Sequence, residues 1–513
     1  MNSCDKSFNI NDYGAVGDGC ALNTVAIQAA IDDCCKRGGG TVYIPSGQFV
    51  TGTIYLKDNV YLHLDHGARL MSSLNMKDYP SIPSKYRCYS GEKVSLKSII
   101  YAEDVTNTGI TGTGIIDGRV YELDLQYGVP SFALRPRLIH LRGCRRVLIQ
   151  NITLQDSATW VQHYKLCEDL RIEGVKVNSR LNKNLKIPRF AEYRGANQDG
   201  MDIDSCRNVF ISNCHIYSDD DGICLKSWTE SPCENVVVTN CIVSTNASAI
   251  KLGTESNGGY RNININNCIV YDTRITGIGI MEVDGGICEN VNINDITMHN
   301  IMGAAIFIRL NERSRPLGNE CPVPECGQMR NIRISNVTAT NVGGLCHEDD
   351  KIGRIGCSIV GMGKQYINNI SLHNINLTFI GGGSPESCLQ DVPECNNDYP
   401  NPRMYGGDLP AYGFYCRYVD GLRLESVDLK LLEKDLRPPI IVHKVINGRI
   451  INIQADVCNI SRITENVGDF VVKFIFILGP NCPSSIEMLF VFHIGPSLLS
   501  PQGVFYRASG SNI

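Results

Sequence analysis

Two short runs gather carboxylates densely enough to do acid/base chemistry. Asn197-Gln198-Asp199-Gly200-Met201-Asp202-Ile203-Asp204 is followed by Asp219-Asp220-Asp221-Gly222-Ile223-Cys224-Leu225-Lys226. Asp199 and Asp220 are 21 residues apart, close to one turn of a stacked-strand solenoid. Stacked strands lie about 4.8 Å apart, so the two runs should share one patch of one face. Inverting cleavage of a glycosidic bond needs a carboxylic acid beside the leaving oxygen and a carboxylate roughly 6.5–9.5 Å away to activate water. One coil plus a sideways offset supplies such a gap. Crowded carboxylates also raise the pKa of at least one of them, which leaves a proton donor near neutral pH. The same oxygens could hold Ca²⁺, and a solvated Asp-rich turn could do neither.

The elements that must position these acids are repeats. A unit of alternating apolar residues recurs as Val147-Leu-Ile-Gln-Asn-Ile152, Leu170-Arg-Ile-Glu-Gly-Val175, Val209-Phe-Ile-Ser-Asn-Cys214, Val236-Val-Val-Thr-Asn-Cys241 and Ile263-Asn-Ile-Asn-Asn-Cys268. It continues through Val291, Ile332, Ile370 and Leu422. The base spacing is 27 residues, stretched where loops are inserted, which signals a stacked-repeat architecture. Alternation with period 2 means strands. A second strand series interleaves at 201–204, 222–226, 249–252, 277–281 and 304–310, and the acidic runs lead into its first two members. Two or more strand series per coil describe a parallel β-helix. The recurring Asn residues suit its tight bends, because Asn tolerates the left-handed conformation.

Before the coils, Ile27, Ala30, Ile31 and Cys34 fall on one face of a helix that Thr24 can cap and Gly38-Gly39-Gly40 ends. Its expected place is over the open first coil, since exposed strand edges invite pairing. Insertions are expected at about 119–136, 181–198, 311–330, 341–357 and 381–412, where they can wall a groove. Those near 311–330 and 381–412 could block one end of it and favour attack on chain ends. The solenoid is expected over 1–455, with a tail at 456–513 that the repeat does not place.

Composition narrows the function. The chain has 513 residues, 43% hydrophobic and 20% charged, enough for a large core. A net charge of −5 with no basic run speaks against nucleic acid, and no apolar stretch approaches the roughly 18 residues of a membrane span. Residues Met1 to Phe8 show no secretory pattern. The expected setting is cytoplasmic as the sequence stands, or secreted if the gene start is incomplete, and the expected state is a monomer. The 23 cysteines occupy positions where other units carry Val or Ile, so most read as reduced core residues. Cys321 and Cys326 are the pair best placed to bond or hold a metal.

These features together resemble glycoside hydrolase family 28, the polygalacturonases and rhamnogalacturonan hydrolases. The likeness runs from Phe8 to about Asn452 and includes Asp12-Tyr-Gly-Ala-Val-Gly-Asp-Gly19, Gly112-Thr-Gly-Ile-Ile-Asp-Gly118 and Arg135-Pro-Arg-Leu-Ile139. The family's Asn-Thr-Asp motif matches Asn197-Gln198-Asp199, and its Gly-Asp-Asp motif matches Asp219-Asp220-Asp221. The resemblance implies an all-β, single-stranded, right-handed parallel β-helix of the pectin lyase-like kind with an N-terminal capping helix. It also implies an inverting hydrolase of galacturonate-containing pectic chains, with no cofactor and no metal. By it Asp220 is the general acid, and Asp199 and Asp221 hold and activate the water.

Two family features are missing. Gly-His-Gly should fall near Ala247-Ser248-Ala249, and Arg-Ile-Lys at Gly279-Ile280-Met281. Losing cations that would pair with a uronate carboxylate points to a rhamnose or another neutral sugar at that subsite. Lys226, Lys251 and Arg309 could replace the charge. Asp202, Glu282 and His163 are further candidates for substrate contact, with Asp284 beside Glu282 and Trp160 offering an indole for stacking. The competing readings are a Ca²⁺-dependent β-eliminating lyase on the same fold and a non-catalytic carbohydrate-binding β-helix.

Overall fold

The computed structural model describes residues 7–456 except 84, 87–95, 128–133, 181–196, 318–320 and 344–353, together with three strands beyond residue 456. Residues 181–196 of the insertion expected at 181–198, the middle of that at 341–357, and parts of those at 119–136 and 311–330 therefore lie outside the described residues.

The strands stack in parallel as three long ladders. One runs from Gly40–Ile44 through Val60–Leu64, Thr106–Gly112, Arg145–Gln150, Glu168–Glu173 and Arg207–Ser212 to Cys233–Thr239, and continues in the long strands Gly259–Thr273, Ile287–Ile301, Gln328–Val342 and Ile367–Phe379. A second contains Thr153–Gln155, Lys176–Ser179, His215–Ser218 and Ile242–Thr245. The third, the cleft sheet, contains Ser98–Glu103, Arg137–Arg142, Gln162–Lys165, Met201–Asp204, Ile223–Ser227, Ser248–Ser256, Thr276–Glu282, Ala304–Leu310 and Cys357–Val360. This is a parallel β-helix, as the repeat predicts.

Register follows from the apolar pattern. Val209, Val236, Ile263, Val291, Ile332 and Ile370 pair in succession, and all are buried in one continuous core. A slip of one residue would turn this column to solvent. Asn208, Asn235, Asn262, Asn290, Asn331 and Asn369 each adopt a left-handed backbone with φ between 55° and 57°. Their amides donate from coil to coil at 2.8–3.3 Å, so the bend residues form a hydrogen-bonded ladder as well as a turn. Cys214, Cys241 and Cys268 likewise stack at one buried position. No disulfide joins the described cysteines. The expected pairing of Cys321 with Cys326 is not seen, and the Cys326 thiol contacts the Met362 sulfur at 3.6 Å instead.

The N-terminal helix spans Thr24–Lys36 and buries Ile27, Ala30, Ile31 and Cys34 against the first coil. Its cap differs from expectation. Asn23 is the N-cap residue, and Thr24 Oγ1 accepts the Gly52 amide at 2.8 Å, which ties the helix to the solenoid. At the other end, Phe470–Ile477 adds a parallel strand beyond Gly448–Asp456, and Met488–Ile494 folds back on it antiparallel. Stacking thus carries one rung past residue 455.

Candidate active site

Side chains that point outward from the cleft sheet form columns along the solenoid. In one column Tyr101, His140, His163, Asp202, Cys224, Lys251, Gly279 and Phe307 follow each other from coil to coil. In the next, Glu103, Arg142, Lys165, Asp204 and Lys226 do the same. Met201–Asp204 pairs with Ile223–Ser227 at an offset of 22 residues. Continuing that offset places Asp199 beside Asp221, and the Gly200 amide donates to the Asp221 carbonyl at 2.7 Å. Asp220 then sits one residue earlier, on the bend into the strand.

Three carboxylates converge at this point. Oxygens of Asp199, Asp220 and Asp221 all lie within 4.8 Å of one another, closer than the 6.5–9.5 Å expected from the spacing. Asp199 and Asp221 are buried, whereas Asp220 keeps part of its surface open. Burial, then the charge of Asp221, pushes the Asp220 carboxyl up to about 7. Burial, then the charges of Asp202 and Asp220, drives Asp199 well above the carboxylate range. Asp221 is held by two donors, Lys251 Nζ at 2.5 Å and the Ser248 amide at 3.1 Å. Burial works against the charge of Lys251, but Asp221, Tyr399 and Cys224 together overcome it and hold the ammonium well above its ordinary value. The site therefore places an accessible acid with a raised pKa beside a carboxylate fixed by two donors, an arrangement suited to acid/base hydrolysis.

Other sequence candidates divide sharply. Lys226 joins the cluster and contacts Glu255 at 3.2 Å, Asp202 at 3.5 Å and Asp199 at 3.8 Å, under the Trp160 ring at 4.8 Å. Asp202 lies behind Asp199 without exposed surface. His163, expected at the substrate, is fully buried between His140 and Trp160, at centroid distances of 4.8 and 5.0 Å. Burial pushes it down to about 3, so it stays neutral and its Nε2 faces Asp204 at 3.3 Å.

Glu282 and Arg309 also leave the substrate list. The Glu282 Oε1 accepts the Gly286 amide at 2.9 Å within a buried turn, and neighbouring Asp284 is ion-paired with Arg313. Arg309 has no exposed surface and donates to the carbonyls of Gly361, Glu394 and Cys395. Alternation does place Arg309 on the outer face of the cleft sheet. The insertion folding over that face was not visible in the pattern.

The open part of the site is a pocket lined by Asp220, Asp221, Ser248, Lys251, Met281 and Tyr399 among others. Sequence reasoning missed Tyr399, whose hydroxyl accepts the Thr254 hydroxyl at 2.8 Å. It also missed Glu255, held down to about 2 because Lys226, Arg313 and Lys251 together overcome its burial. Glu255 lies three residues past the predicted strand 249–252, near the end of the observed strand Ser248–Ser256. Tyr399 comes from an insertion with no periodic signal.

A family model for glycosyl hydrolases family 28 matches residues 34–397. The chain belongs to that family. Among curated family relatives, a probable polygalacturonase from Vitis vinifera is 33% identical over 239 residues, 44% of this chain and 45% of the relative. An exo-poly-alpha-D-galacturonosidase from Dickeya chrysanthemi is 28% identical over 267 residues, 42% and 41% respectively. The chain thus spans less than half the length of each of these relatives. The family 28 exopolygalacturonase of Yersinia enterocolitica shares the fold with a TM-score of 0.63 at 19% identity, over 88% of this chain and 79% of that one. The exopolygalacturonase of Thermotoga maritima does so with 0.58 at 23% identity, over 73% and 87%.

Proposed function

We propose that this family 28 protein hydrolyses an α-linked, galacturonate-containing pectic chain with inversion. Asp220 gives its proton to the leaving oxygen, and Asp199 and Asp221 hold and activate the attacking water. The observation that carries this reading is the convergence of the three carboxylates within 4.8 Å, with only Asp220 both open and raised to about 7. A water bonded to two carboxylates at about 2.8 Å each spans roughly 4.5 Å, so oxygens within 4.8 Å of one another can share one bridging water. A nucleophilic carboxylate would instead retain configuration. Proton NMR of the first-formed anomer separates the two, and an initial product of retained configuration would overturn the inverting route.

The substrate reading rests on the pocket beside the acids. Gly279 and Met281 stand on the outer face where paired cations would grip a carboxylate, and Lys251 is already committed to Asp221. Charge-assisted hydrogen bonds contribute about 1.5–3 kcal/mol each, so their loss costs roughly ten- to a hundredfold in binding. Rhamnogalacturonan, or an oligosaccharide with a neutral sugar at that position, is therefore the favoured substrate over polygalacturonan. Comparing kcat/KM on the two polymers tests this, and equal or better cleavage of polygalacturonan would reject it.

A further inference from the structure

The insertion at 381–412 does more than border the site. On the coils that follow Lys251, the outer face of the cleft sheet is covered by an apolar cluster in which Met281, Phe307, Val360 and Tyr415 of the solenoid meet Val392, Tyr405 and Leu409 of the insertion. Two buried arginines stitch the insertion down. Arg309 pairs in register with Val360, and Val360 with Arg417, so both arginines stand in one outward column. Arg309 donates to the carbonyls of Glu394 at 2.6 Å and Cys395 at 3.1 Å, and Arg417 to those of Val392 at 2.7 Å and Pro393 at 2.9 Å. Asn311 adds bonds to the carbonyls of Cys395 and Asp398. A loop whose carbonyls are bound by fixed, buried cations is a rigid part of the fold and not a mobile flap.

The end of this anchored segment enters the pocket. Tyr399, Pro400, Asn401 and Pro402 line the same cavity as Asp220 and Asp221. Asn401 caps the short helix Pro402–Tyr405 by accepting the Arg403 amide at 3.0 Å, and two prolines restrict the backbone around it. The Tyr399 hydroxyl is tied to Thr254. A sugar chain bound across Asp220 cannot run on past this point, because the sheet face it would follow is occupied.

We infer that residues 392–405 form a fixed wall that makes the site a chain-end pocket, so that each cut releases one short product of constant length. The inference rests on the hydrolase reading above and adds its mode of attack. The wall also assigns Arg309 and Arg417 as positioning residues, which act through the insertion and not on the sugar.

The test follows viscosity, new reducing ends and product lengths together during digestion of polygalacturonan and of rhamnogalacturonan. The expected result is a single short product from the earliest time points, with viscosity falling slowly relative to bonds cut. Replacing 396–401 with two glycines, and separately Arg309→Met, should spread the products over several lengths while circular dichroism stays unchanged. An early ladder of intermediate lengths from the native protein would overturn the wall, whatever the variants do. Absence of new reducing ends from both polymers would instead overturn the hydrolase reading.

Discussion

Asp202 and Asp204 lie two residues apart on one strand, both without exposed surface, yet their surroundings drive them in opposite directions. Burial pushes Asp202 up to about 7, with Lys226 at 3.5 Å only partly offsetting it, and neither of its oxygens accepts a hydrogen bond. Burial alone would raise Asp204 too. Lys165, His163 and the Trp228 amide together overcome it and hold the carboxyl well below the usual range. One aspartate belongs to a crowd of acids with too few donors, the other to a closed network with enough. The contrast marks which charges the fold uses for itself and which it leaves strained for chemistry.

The largest effect should come from the strained side. Asp220→Asn is expected to lower kcat by about 10²–10⁴-fold, the usual worth of a positioned proton donor, with the circular dichroism spectrum unchanged. Near-normal turnover in that variant would remove Asp220 from the mechanism. The closed network answers to a different measurement. Asp204→Ala leaves Lys165 buried without its partner, a change that typically costs about 3–5 kcal/mol, so urea unfolding should report a large loss of stability. A loss below about 1 kcal/mol would mean the network is incidental.

Titration separates the two aspartates by sign. Asp202 binds its proton more tightly folded than unfolded, so its contribution to stability is present below the ordinary carboxylate pKa and is lost as pH rises towards and past about 7. Asp204 binds its proton less tightly folded, so its contribution is present at neutral pH and is lost on acidification. Asp202→Asn should therefore flatten the fall in stability between about pH 4 and 7, and an unchanged slope in pH-dependent unfolding would contradict the assignment. Activity should fall as pH rises through about 7, where Asp220 loses its proton. Lys251 lowers the Asp220 pKa, so Lys251→Met should move that alkaline limb upward. A limb that stays in place would remove Lys251 from the electrostatics of the acid.

How much of this was legible follows from what repeats. Strand columns such as Val209, Val236 and Ile263, the Asn bends and the pairing of two acidic runs on successive coils are periodic, and period fixes register and face. The one-residue offset that sets Asp221, and not Asp220, beside Asp199 was not legible, because the 22-residue pairing offset appears only once the bend is built. His163, Glu282 and Arg309 were candidates because they lie on or next to strands of the repeat, and strand position alone cannot say what covers a side chain. Their true partners, Asp204, Gly286 and the carbonyls of Glu394 and Cys395, come from another coil, a tight turn and an aperiodic insertion. Tyr399 was hidden for the same reason.

The smallest expected effect is none at all. Asp199, Asp220 and Asp221 bring oxygens close enough to hold a cation, which a Ca²⁺-dependent lyase would exploit. Two ammonium groups already stand among these oxygens, Lys251 at 2.5 Å from Asp221 and Lys226 at 3.8 Å from Asp199. A divalent ion would have to displace them or bear their repulsion at close range, and in a buried site that repulsion is weakly screened. Asp220, raised to about 7, also carries its proton about half of the time at neutral pH, and a protonated carboxyl is a poor ligand. Activity in excess EDTA should therefore match that in buffer, with and without added Ca²⁺. Loss in EDTA with recovery in Ca²⁺, accompanied by an unsaturated product absorbing in the ultraviolet, would replace the hydrolase reading with elimination and turn the three aspartates from proton-transfer groups into ligands.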